Sequence, residues 1–284
     1  MNIKIDIDTI RTVLNMSAEE LAQKLNVSYK TIVSWQDGTN ELTEDNMNKL
    51  YNFAYRQNYR INESKERFFK EEYEHNDNVV LFHGSKYGLS KEISVENSKI
   101  HHDFGKGFYC GENLIQASSF VSNFTMSKVY AYTFQESSEL KKTKLSLDRT
   151  WLLLVGYHKG LLKEYENHPL IQKLLKKIED VDYIIAPITD NRVTDLINNF
   201  VHKMITDAQC CHCIAELNLG NQYVFLSNKA IKKLEALDTF FLCEEERKNS
   251  VNIRRNQMLN FANKVDVAMI KYRGKGQYID EVFA

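Results

Sequence analysis

The chain has 284 residues, 43% of them hydrophobic and 26% charged, enough apolar side chains for a sizeable core and the charge content of an ordinary globular protein. The formal net charge is −1, so no whole-chain field draws it to nucleic acid or anionic lipid, and any such contact must come from a local patch. No apolar stretch approaches the roughly 18 residues that span a bilayer, the start Met1-Asn2-Ile3-Lys4-Ile5-Asp6 has no apolar signal-peptide core, and five cysteines make no disulfide framework; a cytoplasmic protein without membrane contact is expected.

The first sixty or so residues read as short helices. Ser17-Ala18-Glu19-Glu20 is a capping-box pattern, after which Leu21, Ala22 and Leu25 share one helical face. A turn at Asn26-Val27-Ser28 leads to a helix opened by Ser28 or Tyr29, with Ile32 and Trp35 on one face and Gly38 at its end. Thr43 to Tyr55 makes a further helix. Residues 56–78 are polar and charged, with Phe68, Phe69 and Tyr73 as apolar points, and read as a helical linker.

The composition then changes. Val79-Val80-Leu81-Phe82 is a buried-strand signal, and Gly107-Phe108-Tyr109-Cys110 a second short strand. Asn113 to Phe124 reads as a helix. Lys128 to Phe134 alternates as a strand does. Trp151 to Tyr157 is apolar throughout and fits helix or strand. Strands are expected at Tyr183–Pro187 and Tyr223–Leu226, and helices at Asn191–Ile205 and Asn228–Leu237. From Cys243 the chain is charged and helical to about Tyr272, and a turn at Gly274–Gly276 leads into a short tail. Strands and helices mix without a regular βαβ repeat, so the expected class is α+β. The expected division is 1–60, a small all-α domain; 61–77, a helical linker; 78–240, the α+β domain; and 241–284, a helical tail.

Glu20-Leu21-Ala22, Leu25-Asn26-Val27-Ser28, Thr31-Ile32, Trp35 and Gly38 resemble the repressor-like helix-turn-helix family of Cro and the phage repressors. The resemblance implies that the second helix enters the major groove through its first turns, which here means Ser28, Tyr29, Lys30 and Ser34. The proline that often follows the glycine in that family is replaced by Glu41-Leu42. Residues 1–60 hold seven basic and eight acidic side chains, a poor footprint for phosphate. A helical bundle that dimerises or docks a partner is the alternative.

Cleaving a nicotinamide–ribose bond requires an aromatic face for the ring, unobstructed backbone for the carboxamide, a hydrogen-bond partner for the ribose and electrostatic help for the forming oxocarbenium ion. His83 and Gly84 end a strand and precede Ser85, while Tyr109 follows a glycine-bearing loop. Phe82-His83-Gly84-Ser85, Asp103-Phe104-Gly105-Lys106-Gly107-Phe108-Tyr109, Gln116-Ala117, Tyr183–Pro187 with Asp190, and Asn221-Gln222 with Phe225, Ala230 and Leu234 occur in order. Together they resemble a bacterial family of unknown function among the His-Tyr-Glu type ADP-ribosyltransferases, the branch of diphtheria toxin and the poly-ADP-ribose polymerases. The resemblance implies a split mixed or antiparallel sheet core, NAD as substrate and no metal.

Residue by residue, it implies that His83 bonds the adenosine-side ribose, that the Gly84 backbone and Ser85 hold the carboxamide, and that Tyr109 stacks on nicotinamide. Lys106, on the same loop as Gly107, is suited to the pyrophosphate. Gln222 stands where that branch has its third residue, usually glutamate. A neutral amide offers a dipole and hydrogen bonds in place of a charge, an interaction roughly half as strong. Glu216 is a fallback acid, and Asp190 a supporting residue. The implied activity is mono-ADP-ribosylation of a macromolecular acceptor, protein or nucleic acid. With the helix-turn-helix it suits a toxin or phage-defence effector with DNA targeting or autoregulation and an antitoxin or immunity partner. The alternative is a transcriptional regulator whose second domain senses NAD without reacting.

Other signals carry less. A strand-terminal histidine or tyrosine is commonly a structural residue. Cys210-Cys211-His212-Cys213 is too contiguous to surround one tetrahedral ion and lacks a distant second pair; buried thiols are expected instead. His101-His102 reads as a solvated loop, Cys110 has no base partner, and Lys271-Tyr272-Arg273-Gly274-Lys275 reads as a solvated basic cluster.

Overall fold

In the computed structural model, residues 1–89 and 92–284 are described. Local capping starts the N-terminal helices. Asn2 caps α1 (Ile3–Val13), and Ser17 with Glu20 forms a complete capping box on α2 (Ala18–Leu25). Asn26, in the left-handed region at φ 54°, ends α2. Ser28 caps α3 (Tyr29–Gln36) and Thr43 caps α4 (Glu44–Arg56), each accepting from a backbone N–H three residues on. The expected linker contains a 13-residue helix, α5 (Ile61–Tyr73).

The remaining elements follow as β1 (Asn78–Ser85), β2 (Phe108–Gly111), α6 (Leu114–Ser119), β3 (Lys128–Gln135), β4 (Lys142–Lys144), α7 (Arg149–His158), α8 (Pro169–Lys176), β5 (Tyr183–Pro187), α9 (Asn191–Val201), α10 (Asp207–Ala215), β6 (Asn221–Phe225), α11 (Asn228–Ile231), β7 (Leu234–Phe241), α12 (Glu244–Lys271) and α13 (Ile279–Val282). The class is α+β, with a helical N-terminal region followed by strands and helices together.

Two expectations are corrected. The helix expected over Asn228–Leu237 stops at Ile231, and Leu234–Phe241 is strand β7. Lys, Leu, Glu and Ala favour a helix there, but β7 lies beside β3 and buries Phe240 and Phe241, so tertiary packing overrides local propensity. The helix expected over Asn113–Phe124 ends at Ser119.

The chain divides into two compact units. The first holds Met1–Gly88, Asn113–Thr133 and Ala236–Arg254. Its helical part packs Ile7, Ile10, Leu21, Leu25, Ile32, Trp35 and Leu50 into one core that also takes in Ile61 and Phe241. A second core joins Val80 and Phe82 of β1, Leu114 and Ala117 of α6, and Val129 and Ala131 of β3. The strands here run in the order β1-β3-β7. Lys65 of α5 bridges the buried Asp6 of α1 at 2.6 Å and Asp238 of β7 at 2.8 Å, and Tyr51 donates its hydroxyl to Asp6. The N-terminal helices are thereby fastened to β7 within this unit.

The second unit holds Leu89–Glu112, Phe134–Glu235 and Arg255–Ala284. Four strands run in the order β4-β5-β6-β2, with β4 parallel to β5 and the pairs β5–β6 and β2–β6 antiparallel. The sheet segment is therefore mixed. Helix α7 is buried from Trp151 to Gly156 on every side. Neither helical nor strand periodicity can show in such a segment. The expected tail is packed: Ile279 is buried, the Phe283 ring stacks on Tyr165 with centroids 3.9 Å apart, and the Gln277 N–H donates to Asp207 at 2.8 Å.

Candidate functional site

The segment Asp103–Tyr109 is shaped by its glycines and closed by its tyrosine. Gly105 has φ +77°, a conformation that side-chain-bearing residues rarely adopt. At Gly107 a Cβ would lie 3.0 Å from the Phe225 carbonyl oxygen of β6, so glycine lets the loop settle against that strand without displacing it. The chain then enters β2, where Tyr109 pairs with Val224 and Gly111 with Gln222. Side chains alternate along a strand, so Tyr109 and Gln222 leave the sheet on the same face. The Tyr109 hydroxyl turns back on its own loop, accepting from the Phe104 N–H at 3.1 Å and donating to the Gly105 carbonyl at 2.8 Å. Burial raises its pKa, so it stays a neutral phenol. Its ring lies beside His102 with centroids 5.0 Å apart, and burial pushes the His102 imidazole down.

Asp103 is the hub beneath this loop. It is 8% exposed, and its partners Thr189 and Gln222 are 5% and 6% exposed. Thr189 Oγ1 donates to Oδ1 at 2.5 Å, Gln222 Nε2 donates to Oδ2 at 2.8 Å, and Lys159 Nζ pairs with Oδ1 at 2.9 Å. Gln222 Nε2 also donates to the Pro187 carbonyl at 3.2 Å, and Trp151 Nε1 donates to the same oxygen at 3.2 Å. Four segments thus meet on one carboxylate: the motif loop, the end of β5, β6 and the end of α7. His158 sits against Phe104 edge-on. Burial lowers its pKa to about 4, with Asp103 opposing, and its Nε2 is buried without a partner.

Lys106 points outward and pairs with Glu96 at 2.7 Å. The unit therefore gathers Lys106, Gly107, Tyr109 and Gln222 around β2 and β6. Glu216 is the exposed C-cap of α10 and does not lie on β6. Asp190 caps α9 by accepting from Val193 N–H at 3.1 Å and pairs with Arg192 at 2.7 Å.

His83, Gly84 and Ser85 close β1 in the first unit. A Cβ on Gly84 would overlap the Ala117 carbonyl oxygen of α6, so this glycine is required by the packing of α6 on β1. Ser85 Oγ donates to the Gly88 carbonyl at 2.9 Å and closes a turn in which Gly88 has φ +80°. In the same unit, Ser28 Oγ accepts from Thr31 N–H at 3.1 Å, and Ser34 Oγ donates to the Thr31 carbonyl at 2.9 Å. Tyr29 and Lys30 are exposed on the first turn of α3. Of the four residues expected to meet DNA, Ser28, Tyr29 and Lys30 are exposed and Ser34 is half-buried, and both serines hydrogen-bond within the helix.

Asp103 lies inside the motif, but its role, like those of Thr189, Lys159 and His158, emerges only from the fold. Thr189, two residues past Pro187, had a positional hint. Lys159 and His158 had none, because the segment before them was ambiguous between helix and strand. On α10, Cys210 and Cys213 face inward, and their thiols meet the carbonyls of Leu196 at 3.4 Å and Val265 at 3.9 Å. His212 stacks on Tyr272 with centroids 3.5 Å apart. Burial pushes Cys211 up to about 12 and Cys213 up to about 11, far from reactive thiolates.

Among the described residues, no helix is long and apolar enough to cross a membrane. No curated protein matches this chain. No solved structure matches it. Residues 79–236 match the family model described as a protein of unknown function, DUF3990, and with more than half of its length covered the chain belongs to that family.

Proposed function

We propose that the chain binds NAD and transfers its ADP-ribose to a macromolecular acceptor, releasing nicotinamide. The observation that carries this is the common face of Tyr109 and Gln222 on β2 and β6, with the Asp103 network fixing the loop that leads into β2. An aromatic ring held by its own hydroxyl is a preorganised surface for nicotinamide. Lys106, on the same loop, supplies a cation for the pyrophosphate. The exposed Tyr29 and Lys30 of α3 support DNA targeting or autoregulation, as in a toxin or phage-defence effector held by an antitoxin or immunity partner. Nicotinamide release from labelled NAD, measured with protein, DNA and RNA acceptors, tests the transfer. NAD binding without release removes it.

A second reading is favoured by one observation. The Gln222 amide is neutral, and its nitrogen is committed to Asp103 and the Pro187 carbonyl. A site without a carboxylate at that position suits a regulator that senses NAD without consuming it. Binding without release supports this reading.

A further inference from the structure

The second half of helix α12 has one face seated and one face bare. In the second unit, Phe261, Val265, Met269 and Tyr272 pack against the core and Ala268 is buried. Polar contacts fix that seat: Gln209 Nε2 donates to the Met269 carbonyl at 2.6 Å, and the Tyr272 ring stacks on His212. At about 100° per residue, Leu259, Val267 and Ile270 fall on the opposite face. They are 67%, 63% and 78% exposed, and an exposed aliphatic stripe with a polar rim is the mark of a surface that another body covers. Between Arg255 and Lys275 there are five basic residues and one acid, Asp266. Lys264, Lys271, Arg273 and Lys275 are all exposed, so cations rim the stripe.

The first unit carries a surface of the opposite sign. Helix α5 is seated through Ile61, Phe69 and Tyr73 and leaves Phe68 56% exposed. From Glu71 to Asp77 there are four acids and no lysine or arginine. Glu71, Glu72, Glu74 and Asp77 are exposed. Glu71 and Glu72 follow Phe68 by three and four residues, so they flank its ring on the helix surface.

We propose that the chain self-associates, with the segment Phe68–Asp77 of one protomer seated on the α12 stripe of its partner. Phe68 covers Leu259, Val267 and Ile270, and the acids meet Lys264 and Lys271. The aromatic ring supplies the anchor, and the opposite charges set the register and exclude wrong pairings. A formal net charge of −1 sets no whole-chain repulsion between copies. A lipid surface is the poorer occupant. Helices that lie in a membrane interface present Trp or Phe to it, whereas the aromatic residues of this half of α12, Phe261 and Tyr272, face the core. The contact joins unlike faces of two copies and is therefore heterologous. It is independent of the NAD reading.

Sedimentation equilibrium of the full-length protein tests it, read against 33.2 kDa for one chain. At low salt the wild-type mass is expected to rise above that value with concentration, and salt at about 0.5 M to weaken the association severalfold. Glu71→Lys with Glu72→Lys, and separately Lys264→Glu with Lys271→Glu, set like charges against each other. Each double variant is expected to stay at the mass of one chain. An equimolar mixture of the two restores opposite charges at the contact and is expected to associate again. Phe68→Ser added to both members should weaken that mixture about tenfold, which plain attraction between oppositely charged proteins would not show. All these side chains are exposed, and thermal unfolding checks the fold of each variant. Undiminished association in a folded charge variant, or a mixture that stays at the mass of one chain, overturns the proposal. A wild type that remains single while cosedimenting with phosphatidylserine-containing vesicles overturns it in favour of a lipid surface.

Discussion

Two glycine-bearing segments look alike in sequence and differ in the fold. In Phe82–Ser85, Gly84 makes room for the Ala117 carbonyl of α6, and Ser85 closes a turn onto Gly88. In Asp103–Tyr109, the polar side chains gather partners from β5, β6 and α7 onto one buried carboxylate. The first segment has its small and polar residues explained by neighbours close in sequence or packed on it. The second holds a network whose cost in buried polar groups is large, and such networks are kept where a geometry must be fixed. A glycine beside a candidate ligand residue is thus weaker evidence of a binding site than a buried carboxylate with partners on several elements.

The comparison breaks most visibly at Asp103. Asp103→Ala leaves Lys159, Gln222 and Thr189 without their shared acceptor and should cost about 3–5 kcal/mol, read by chemical denaturation. A loss below about 1 kcal/mol would show that the network is not what holds the loop. Next comes Gly84→Ala, where overlap with the α6 backbone should cost about 1–3 kcal/mol. The companion variant Gly38→Ala meets no atom within 4 Å and suffers only the strain of its positive φ, about 1 kcal/mol. Equal losses at the two glycines would remove the packing explanation for Gly84.

The pH dependence gives a smaller effect with a definite sign. His158 is pushed down to about 4 from 6.5 by burial, so the folded state binds its proton less readily than the unfolded chain. Its contribution is fully present above pH 6.5 and is lost as the pH falls toward 4. Wild type should therefore lose stability over that window more steeply than His158→Phe, by about 1–3 kcal/mol. Parallel pH curves would contradict the assignment. The smallest effect is at Lys106, whose exposed pair with Glu96 should change stability by less than about 1 kcal/mol on Lys106→Ala. NAD affinity, measured by titration, should fall severalfold in the same variant.

Much of the fold was legible because its determinants are local. Ser17 with Glu20, Ser28 and Thr43 cap helices within three residues, and β1, β3, β5 and β6 announce themselves as short apolar or alternating runs. What was not legible depends on distant partners. Thr189 and Gln222 reach Asp103 across 86 and 119 residues, so nothing near the motif aspartate in sequence marks its role. Leu234–Phe241 became a strand because β3 lies beside it. Full burial of α7 erased the periodicity that would have named it.

The proposed NAD site is the loop ending at Tyr109. Calorimetric titration of NAD into wild type and Tyr109→Ala, both checked for cooperative unfolding, tests it most directly. Saturable one-to-one binding is expected in the wild type, and its loss in Tyr109→Ala. Absence of binding in the wild type, or equal affinity in the two proteins, would contradict it.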